Sequence, residues 1–142
     1  MKYLKAAVKE TQRLYPSAVV NSRILDEDIE IKGYNVPKGT YIMMNSYTAS
    51  RDPKIFDNPD EFQPERWLQN EKKYHPFASL PFGHGTRMCV GRRLAQQEMY
   101  LLLSELIRNF RLVPTKPNVG SICGLTIHPE SSVEPKLIDR RE

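Results

Sequence analysis

Two stretches of the chain carry apolar residues at helical spacing, and they flank a middle with neither helical nor strand periodicity. Over residues 1–14, Leu4, Ala7, Val8, Thr11 and Leu14 share one face, and Pro16 then ends the pattern. Over residues 92–108, Ala95, Met99, Leu102, Leu103 and Leu106 follow an i, i+4, i+7, i+8, i+11 stripe, which predicts a second helix. Short strands are expected at 19–25, 29–32 and 41–45, separated by turns at Gly33 and Pro37-Lys38-Gly39, and again at 110–113, 125–128 and 133–137. Six prolines (Pro37, Pro53, Pro59, Pro64, Pro76 and Pro81) crowd the middle. Proline removes a backbone donor and fixes φ, so this region cannot be long helix or central strand. Phe56, Phe62, Trp67, Tyr74 and Phe77 favour an ordered coil over a disordered one. The order is helix, small sheet, long coil, helix, small sheet: an α+β chain, mainly α.

Composition narrows what such a chain does. Its 142 residues allow one domain at most. The hydrophobic share is 39%, modest for a self-sufficient core. Two cysteines, at positions 89 and 123, exclude a disulfide-rich scaffold and lack the paired spacing of a zinc site. The longest apolar run, residues 100–107, is interrupted by Ser104 and Glu105 and is far short of a bilayer span. No targeting segment opens the chain. A net charge of +4 without basic tracts interleaved with aromatics argues only weakly for nucleic acid, and none is expected as a partner.

The chemistry concentrates in Pro81-Phe82-Gly83-His84-Gly85-Thr86-Arg87-Met88-Cys89-Val90-Gly91, immediately before the second helix. Cys89 sits at a helix start, where unpaired N–H groups and the positive dipole end favour a thiolate. Three glycines within nine residues let the backbone turn sharply and approach a flat partner. Arg87 offers a planar fork suited to a carboxylate. Together these describe a haem site: an anionic ligand for iron and an arginine for a propionate.

Phe82-x-x-Gly85-x-Arg87-x-Cys89-x-Gly91 resembles the haem-binding signature of the cytochrome P-450 superfamily at all five fixed positions. A chance match in a chain this long is on the order of one in ten thousand. Glu10-Thr11-Gln12-Arg13 is similar to the Glu-x-x-Arg of that family's K helix, and Phe62-Gln63-Pro64-Glu65-Arg66-Trp67 to the segment that follows it. The resemblance implies the C-terminal portion of the family fold, with K helix, small β-sheets, meander coil, Cys loop and L helix. Residues 1–142 would then form a partial domain, the proximal haem-binding portion, without the I helix and N-terminal part. It further implies haem b, held by Arg23, Phe82, Gly85, Arg87, Cys89 and Gly91 with the Cys89 sulfur on iron, and a structural triad of Glu10, Arg13 and Arg66. Helix geometry supports the first pair, since residues at i, i+3 on a helix are neighbours. Residues 16–20 and 120–125 resemble the family's two C-terminal substrate-contact segments.

Arg92-Arg93-Leu94-Ala95 is closer to the mitochondrial branch than to the microsomal one. That branch docks an acidic ferredoxin on K-helix lysines, and Lys2, Lys5 and Lys9 lie at i, i+3, i+7, with Lys5 and Lys9 the expected docking pair. The bland reading is a solvated basic face. The family activity is monooxygenation of an organic, lipophilic or steroid-like substrate. The parent protein is expected at the mitochondrial inner membrane, matrix side; the alternative is the endoplasmic reticulum with a flavoprotein reductase. Met1 stands directly at the K-helix match, so the chain is expected to be a truncated product or incomplete gene model, inactive alone and without catalytic residues of its own. The alternative is a non-catalytic fragment that binds haem or a ferredoxin. A haem-thiolate isomerase or dehydratase is a further rival, disfavoured by the unaltered Cys loop. His84, five residues before Cys89, has no protease signature around it. His75 and His128 read as ordinary loop and strand residues. Cys123 reads as a small pocket or core residue.

Overall fold

A computed structural model describes residues 1–68, 73–116, 118–124 and 126–141. The chain runs α1 (Lys2–Leu14), β1 (Val20–Ile24), β2 (Ile29–Ile31), β3 (Tyr34–Val36), β4 (Tyr41–Asn45), α2 (Ser46–Ala49), a long coil, α3 (Arg92–Asn109), β5 (Phe110–Val113), β6 (Ser121–Cys123), β7 (Ile127–Pro129) and β8 (Lys136–Asp139). Two single 3-10 turns, Pro64–Trp67 and Gly85–Arg87, interrupt the coil. The fold is mixed α/β, mainly helical, with small antiparallel sheets: β1 pairs with β4, β2 with β3, β5 with β8 and β6 with β7.

The strand expected at 29–32 is β2, and β3, which the pattern did not predict, pairs with it in a hairpin nested inside the β1–β4 pair. Lys32 (φ 51°) and Gly33 (φ 85°) both take the left-handed conformation that a two-residue hairpin turn demands. At Gly39, φ is 81° and the Thr40 N–H donates to the Pro37 carbonyl (3.2 Å), the geometry of a type II turn. The Asn45 side chain caps α2 by accepting from the Thr48 N–H at 2.9 Å. β8 begins at Lys136 instead of residue 133, because Pro135 has no N–H for the ladder. The strand expected at 125–128 is β7, at Ile127–Pro129; Leu125 lies outside the described residues, and β6 is a strand the pattern did not predict.

The core lies between α1 and the coil. Its apolar members are Ala6, Val8, Leu14, Val19, Phe56 and Ala78. The apolar face expected on α1 is only partly the buried one. Val8 and Leu14 are buried, but Thr11 is exposed, and Leu4 and Ala7 are half-buried. The strip Ala6, Glu10, Arg13 at i, i+4, i+7 is buried instead, carrying two charges inward. On α3, no residue is fully buried, and Leu102 of the expected stripe is 63% exposed, as is Leu94. Among the described residues no helix is long and apolar enough to cross a membrane.

Candidate functional site

The structure builds two neighbouring assemblies, one buried and one open. The buried one is organised by Glu10, whose side chain is fully excluded from solvent. Its carboxylate accepts from Arg13 Nε and Nη2 (both 2.9 Å), Arg66 Nε (3.0 Å), the Gln63 N–H (3.0 Å) and Trp67 Nε1 (2.8 Å). Arg13, also fully buried, places its remaining donors on backbone carbonyls of the coil: Nη1 on Ser50 (2.7 Å) and Pro59 (2.6 Å), Nη2 on Glu61 (3.2 Å). Arg66 does the same with Asp57 (3.0 Å) and Asn58 (3.3 Å), and reaches the Tyr74 hydroxyl at 3.2 Å. Asn58 has φ 44°, a conformation Asn tolerates, and its carbonyl accepts from both Arg66 Nη2 and the Glu61 N–H.

Helix α1 thus grips the coil through two guanidinium groups that share one carboxylate. Burial pushes the Glu10 carboxyl up, but the hydrogen bonds from Arg13, the Gln63 backbone and Trp67 outweigh it and hold it below the usual carboxylate range. Among the described residues no buried side-chain polar atom lacks a partner. Aromatic packing seals the cluster: Phe56, fully buried, lies 4.8 Å from Tyr74 and 6.1 Å from Trp67 between ring centroids, with the Arg13 guanidinium 5.0 Å from its own. Sequence reasoning missed Trp67 as a member. The available signal was that an indole N–H carried into a packed region needs an acceptor. It also missed Arg51, which donates to the C-terminal Leu14 carbonyl of α1, pairs with Asp60 (3.1 Å) and stacks 4.1 Å from the Tyr47 ring.

The open assembly is the loop before α3. Gly83 (φ 71°) and Gly85 (φ 78°) occupy the left-handed region, so the double reversal of this loop depends on them. The Cys89 N–H donates back to the Phe82 carbonyl at 2.9 Å, which closes the loop, and the Arg92 N–H reaches the Cys89 carbonyl at 3.3 Å. α3 then starts at Gly91 with no capping side chain and no acid in its first turn, leaving its positive end uncompensated beside Cys89. The Cys89 thiol is exposed, and a Cβ at Gly91 would stand 3.9 Å from the sulfur. Phe82 is half-buried, and Gly85, Arg87 and Val90 are exposed. Among the described residues Arg87 donates to no other group.

β1 runs beside this loop, since a Cβ at Gly83 would stand 3.5 Å from Asn21 Oδ1. Arg23 lies two residues further on the same strand face. It is exposed and pairs with no carboxylate among the described residues; Nη1 donates to the Ser22 carbonyl at 2.6 Å. An exposed sulfur at a helix start, a glycine beside it, and two guanidinium groups without acid partners fit a flat, dianionic, iron-centred macrocycle. Among the described residues no three His, Cys, Asp or Glu side chains gather, so Cys89 offers its sulfur singly.

Segment 16–20 meets the chain just beyond 120–124: Ala18 bridges Thr126, and the Ile127 N–H reaches the Ser17 carbonyl at 3.4 Å. Pro16 and Val19 are buried, leaving Ser17 and Ala18 to face outward. Cys123 is exposed, not a core residue: β6 pairs only with β7, and the contact with Ser17 and Ala18 falls on the Thr126–Ile127 side of the hairpin. His84 is exposed and meets Phe77 edge-on, with ring centroids 4.7 Å apart, without a hydrogen bond to Cys89. Lys5 and Lys9 are exposed on α1, with Lys9 Nζ only 3.8 Å from the Trp67 centroid and Lys5 Nζ 5.8 Å from that of Tyr100. Partial desolvation against the coil lowers the Lys9 pKa although the residue stays exposed.

The cytochrome P450 family profile matches residues 1–131. The chain is 42% identical to human mitochondrial sterol 26-hydroxylase and 43% identical to mouse mitochondrial 25-hydroxyvitamin D-1 alpha hydroxylase, over 99% and 96% of its length and 28% and 27% of theirs. It is 45% identical to rabbit mitochondrial sterol 26-hydroxylase, over 94% of its length and 26% of that protein.

Proposed function

Because the chain belongs to the cytochrome P450 family, we propose that it forms the proximal haem-binding portion of a mitochondrial haem-thiolate monooxygenase acting on a lipophilic, sterol-like substrate. The observation that carries this reading is the exposed Cys89 sulfur at the uncapped start of α3. The chain spans little more than a quarter of the length of the curated relatives it matches. On this reading the I helix and the opposite wall of the haem pocket belong to the remainder of the parent protein, and these residues alone do not catalyse.

When bound, haem b would supply O₂ activation, in which two electrons and two protons let one oxygen atom enter a C–H bond and the other leave as water. Cys89, as thiolate, is the iron ligand, a role for which this family is itself the standard example. The positive end of α3 and the backbone N–H groups after Cys89 hold the negative charge on sulfur. Phe82 screens that sulfur from water. Gly85 lets the loop turn and Gly91 keeps a side chain away from the macrocycle, while Arg87 and Arg23 take the two propionates. Glu10, Arg13 and Arg66 keep the coil that delivers this loop in register with α1.

Lys5 and Lys9 face an acidic ferredoxin that supplies electrons. The parent would reside at the mitochondrial inner membrane, the organelle being that of its mitochondrial relatives.

The assignment is tested on the full-length parent by its reduced, carbon monoxide-bound difference spectrum. Wild type gives the thiolate-type Soret band, and Cys89→Ala loses it; retention of the band by the variant overturns the ligand assignment. Reduction by an acidic ferredoxin slows when Lys5 and Lys9 are changed to Glu, and an unchanged rate removes the docking role from those lysines.

A further inference from the structure

Arg51 stands outside both assemblies, and its contacts converge on the chain that leaves α1. Nε pairs with Asp60 at 3.1 Å and Nη1 donates to the Leu14 carbonyl, while Cζ lies 4.1 Å from the Tyr47 ring centroid and 5.7 Å from that of Tyr15. The Arg51 side chain is 18% exposed and that of Asp60 80%, so the ion pair forms the outer edge of this cluster and the carbonyl and ring contacts lie within it. Leu14 is the last residue of α1, and the final carbonyls of a helix have no partner inside it. Arg51 satisfies this one and brings positive charge to the negative end of the helix. The chain then passes through Tyr15 to Val19, whose carbonyl accepts from the Ser46 N–H at 2.9 Å and the Tyr47 N–H at 3.3 Å. Segment 16–20 is therefore held just before its start by Arg51 and near its end by the backbone of the residue on which Arg51 stacks. Between the buried Pro16 and Val19, Ser17 and Ala18 remain exposed. A guanidinium donates in its plane to two acceptors while its face meets a ring, which a single ammonium cannot reproduce.

Resting on the resemblance of residues 16–20 to a substrate-contact segment, we propose that Arg51 is a positioning residue for that segment, setting where Ser17 and Ala18 stand against a sterol-like substrate. It acts through the Leu14 carbonyl and the Tyr47 ring and does not itself meet the substrate. Arg51 also links this segment to the lock on the coil. Its own neighbour Ser50, and Pro59 beside Asp60, both give their carbonyls to Arg13 Nη1. The coil that Arg13 fixes is thus the base from which Arg51 reaches back to the end of α1.

The test uses the haem-loaded full-length parent, with amide hydrogen exchange read by mass spectrometry and equilibrium dialysis against radiolabelled cholesterol as the probe. Arg51→Ala speeds exchange at residues 17–20 and at the Ser46 and Tyr47 amides, while α3 exchanges as in wild type. Its cholesterol affinity falls about tenfold, within what a displacement on the order of one ångström can cause. The reduced, carbon monoxide-bound spectrum stays that of wild type. Arg51→Lys recovers only part of the affinity, and Asp60→Asn, at the exposed end of the cluster, weakens it roughly threefold or less. Unchanged exchange at residues 17–20, 46 and 47 in Arg51→Ala, or exchange that rises equally along the whole chain, overturns the positioning role. Full rescue by Arg51→Lys removes the requirement for a planar fork. Ala18→Trp, exposed and outside the Arg51 contacts, separates the proposal from the resemblance it rests on. If Ala18→Trp binds cholesterol like wild type, the substrate-contact reading fails; if Ala18→Trp loses affinity and Arg51→Ala does not, the positioning role alone fails.

Discussion

Arg13 and Arg66 on one side, and Arg23 and Arg87 on the other, are the same side chain under opposite conditions. The first two are buried, share the carboxylate of Glu10 and direct every remaining donor at a backbone carbonyl or a tyrosine hydroxyl. The second two are exposed and have no acid partner among the described residues. Charge is tolerated in the first setting because the geometry satisfies it locally. In the second it is left available. A saturated site holds structure and an unsaturated one waits for a ligand, so the two assemblies should respond to substitution in opposite ways.

The largest expected effect breaks the saturated side. Arg13→Ala strips donors from Glu10 and from the carbonyls of Ser50, Pro59 and Glu61 at once. Removing one partner of a buried ion pair costs about 3–5 kcal/mol, a large fraction of the roughly 5–15 kcal/mol that holds a typical domain folded. Urea unfolding of the parent protein should show the loss. The Glu10→Ala, Arg13→Ala double variant should lose less than the sum of the single changes, since the groups lie in one network. Additive losses would mean that the pair does not act as a unit.

A smaller effect isolates Trp67. Trp67→Phe keeps an aromatic ring in the Phe56 and Tyr74 cluster but withdraws the N–H from Glu10 Oε2. Loss of a hydrogen bond to a buried charged acceptor costs about 1–3 kcal/mol. A change below a few tenths would place Trp67 outside the lock.

Acid should act through the same carboxylate. The folded-state pKa of Glu10 lies below its unfolded value of about 4.3, so the unfolded chain takes up the proton first. The contribution of Glu10 is therefore complete above the unfolded value and disappears as pH falls through the folded one. The stability difference between wild type and Glu10→Gln should be constant near neutrality and shrink below about pH 4. A difference independent of pH down to strong acid would show that Glu10 is not held ionised.

Sequence made the two long helices, the β1–β4 region and the Cys loop legible, because each rests on a local signal: helical spacing, turn glycines, or a motif with fixed positions. It did not show how α1 chooses its buried face. That choice depends on Arg66 and Trp67, more than fifty residues away, arriving with the coil to satisfy Glu10. β6 escaped for a related reason, since a three-residue strand carries too few positions for a period to show. Cys123 reads as a small pocket or core residue because a small apolar residue is ordinarily buried, yet in the fold it is exposed. The basic face of α1 was half legible: Lys2, Lys5 and Lys9 read as a docking face or a solvated one, and only the fold sets Arg92 and aromatic side chains opposite them around a concavity.

The smallest stability effects should fall on the open side, and there smallness is informative. Arg87 makes no hydrogen bond among the described residues, and Val90 is fully exposed at 102%. Substitutions at such positions ordinarily move stability by less than about 0.5 kcal/mol. Arg87→Gln and Val90→Ala should therefore both unfold like wild type in the haem-free protein. They should separate once haem is titrated in, with Arg87→Gln binding more weakly because a charge-assisted contact to a propionate is lost and Val90→Ala much closer to wild type. If Arg87→Gln instead destabilises the haem-free protein as Arg13→Ala does, Arg87 is a structural residue and the contrast between the two assemblies dissolves. If it leaves both stability and haem affinity unchanged, Arg87 is a bystander and Arg23 is the guanidinium left to hold a propionate.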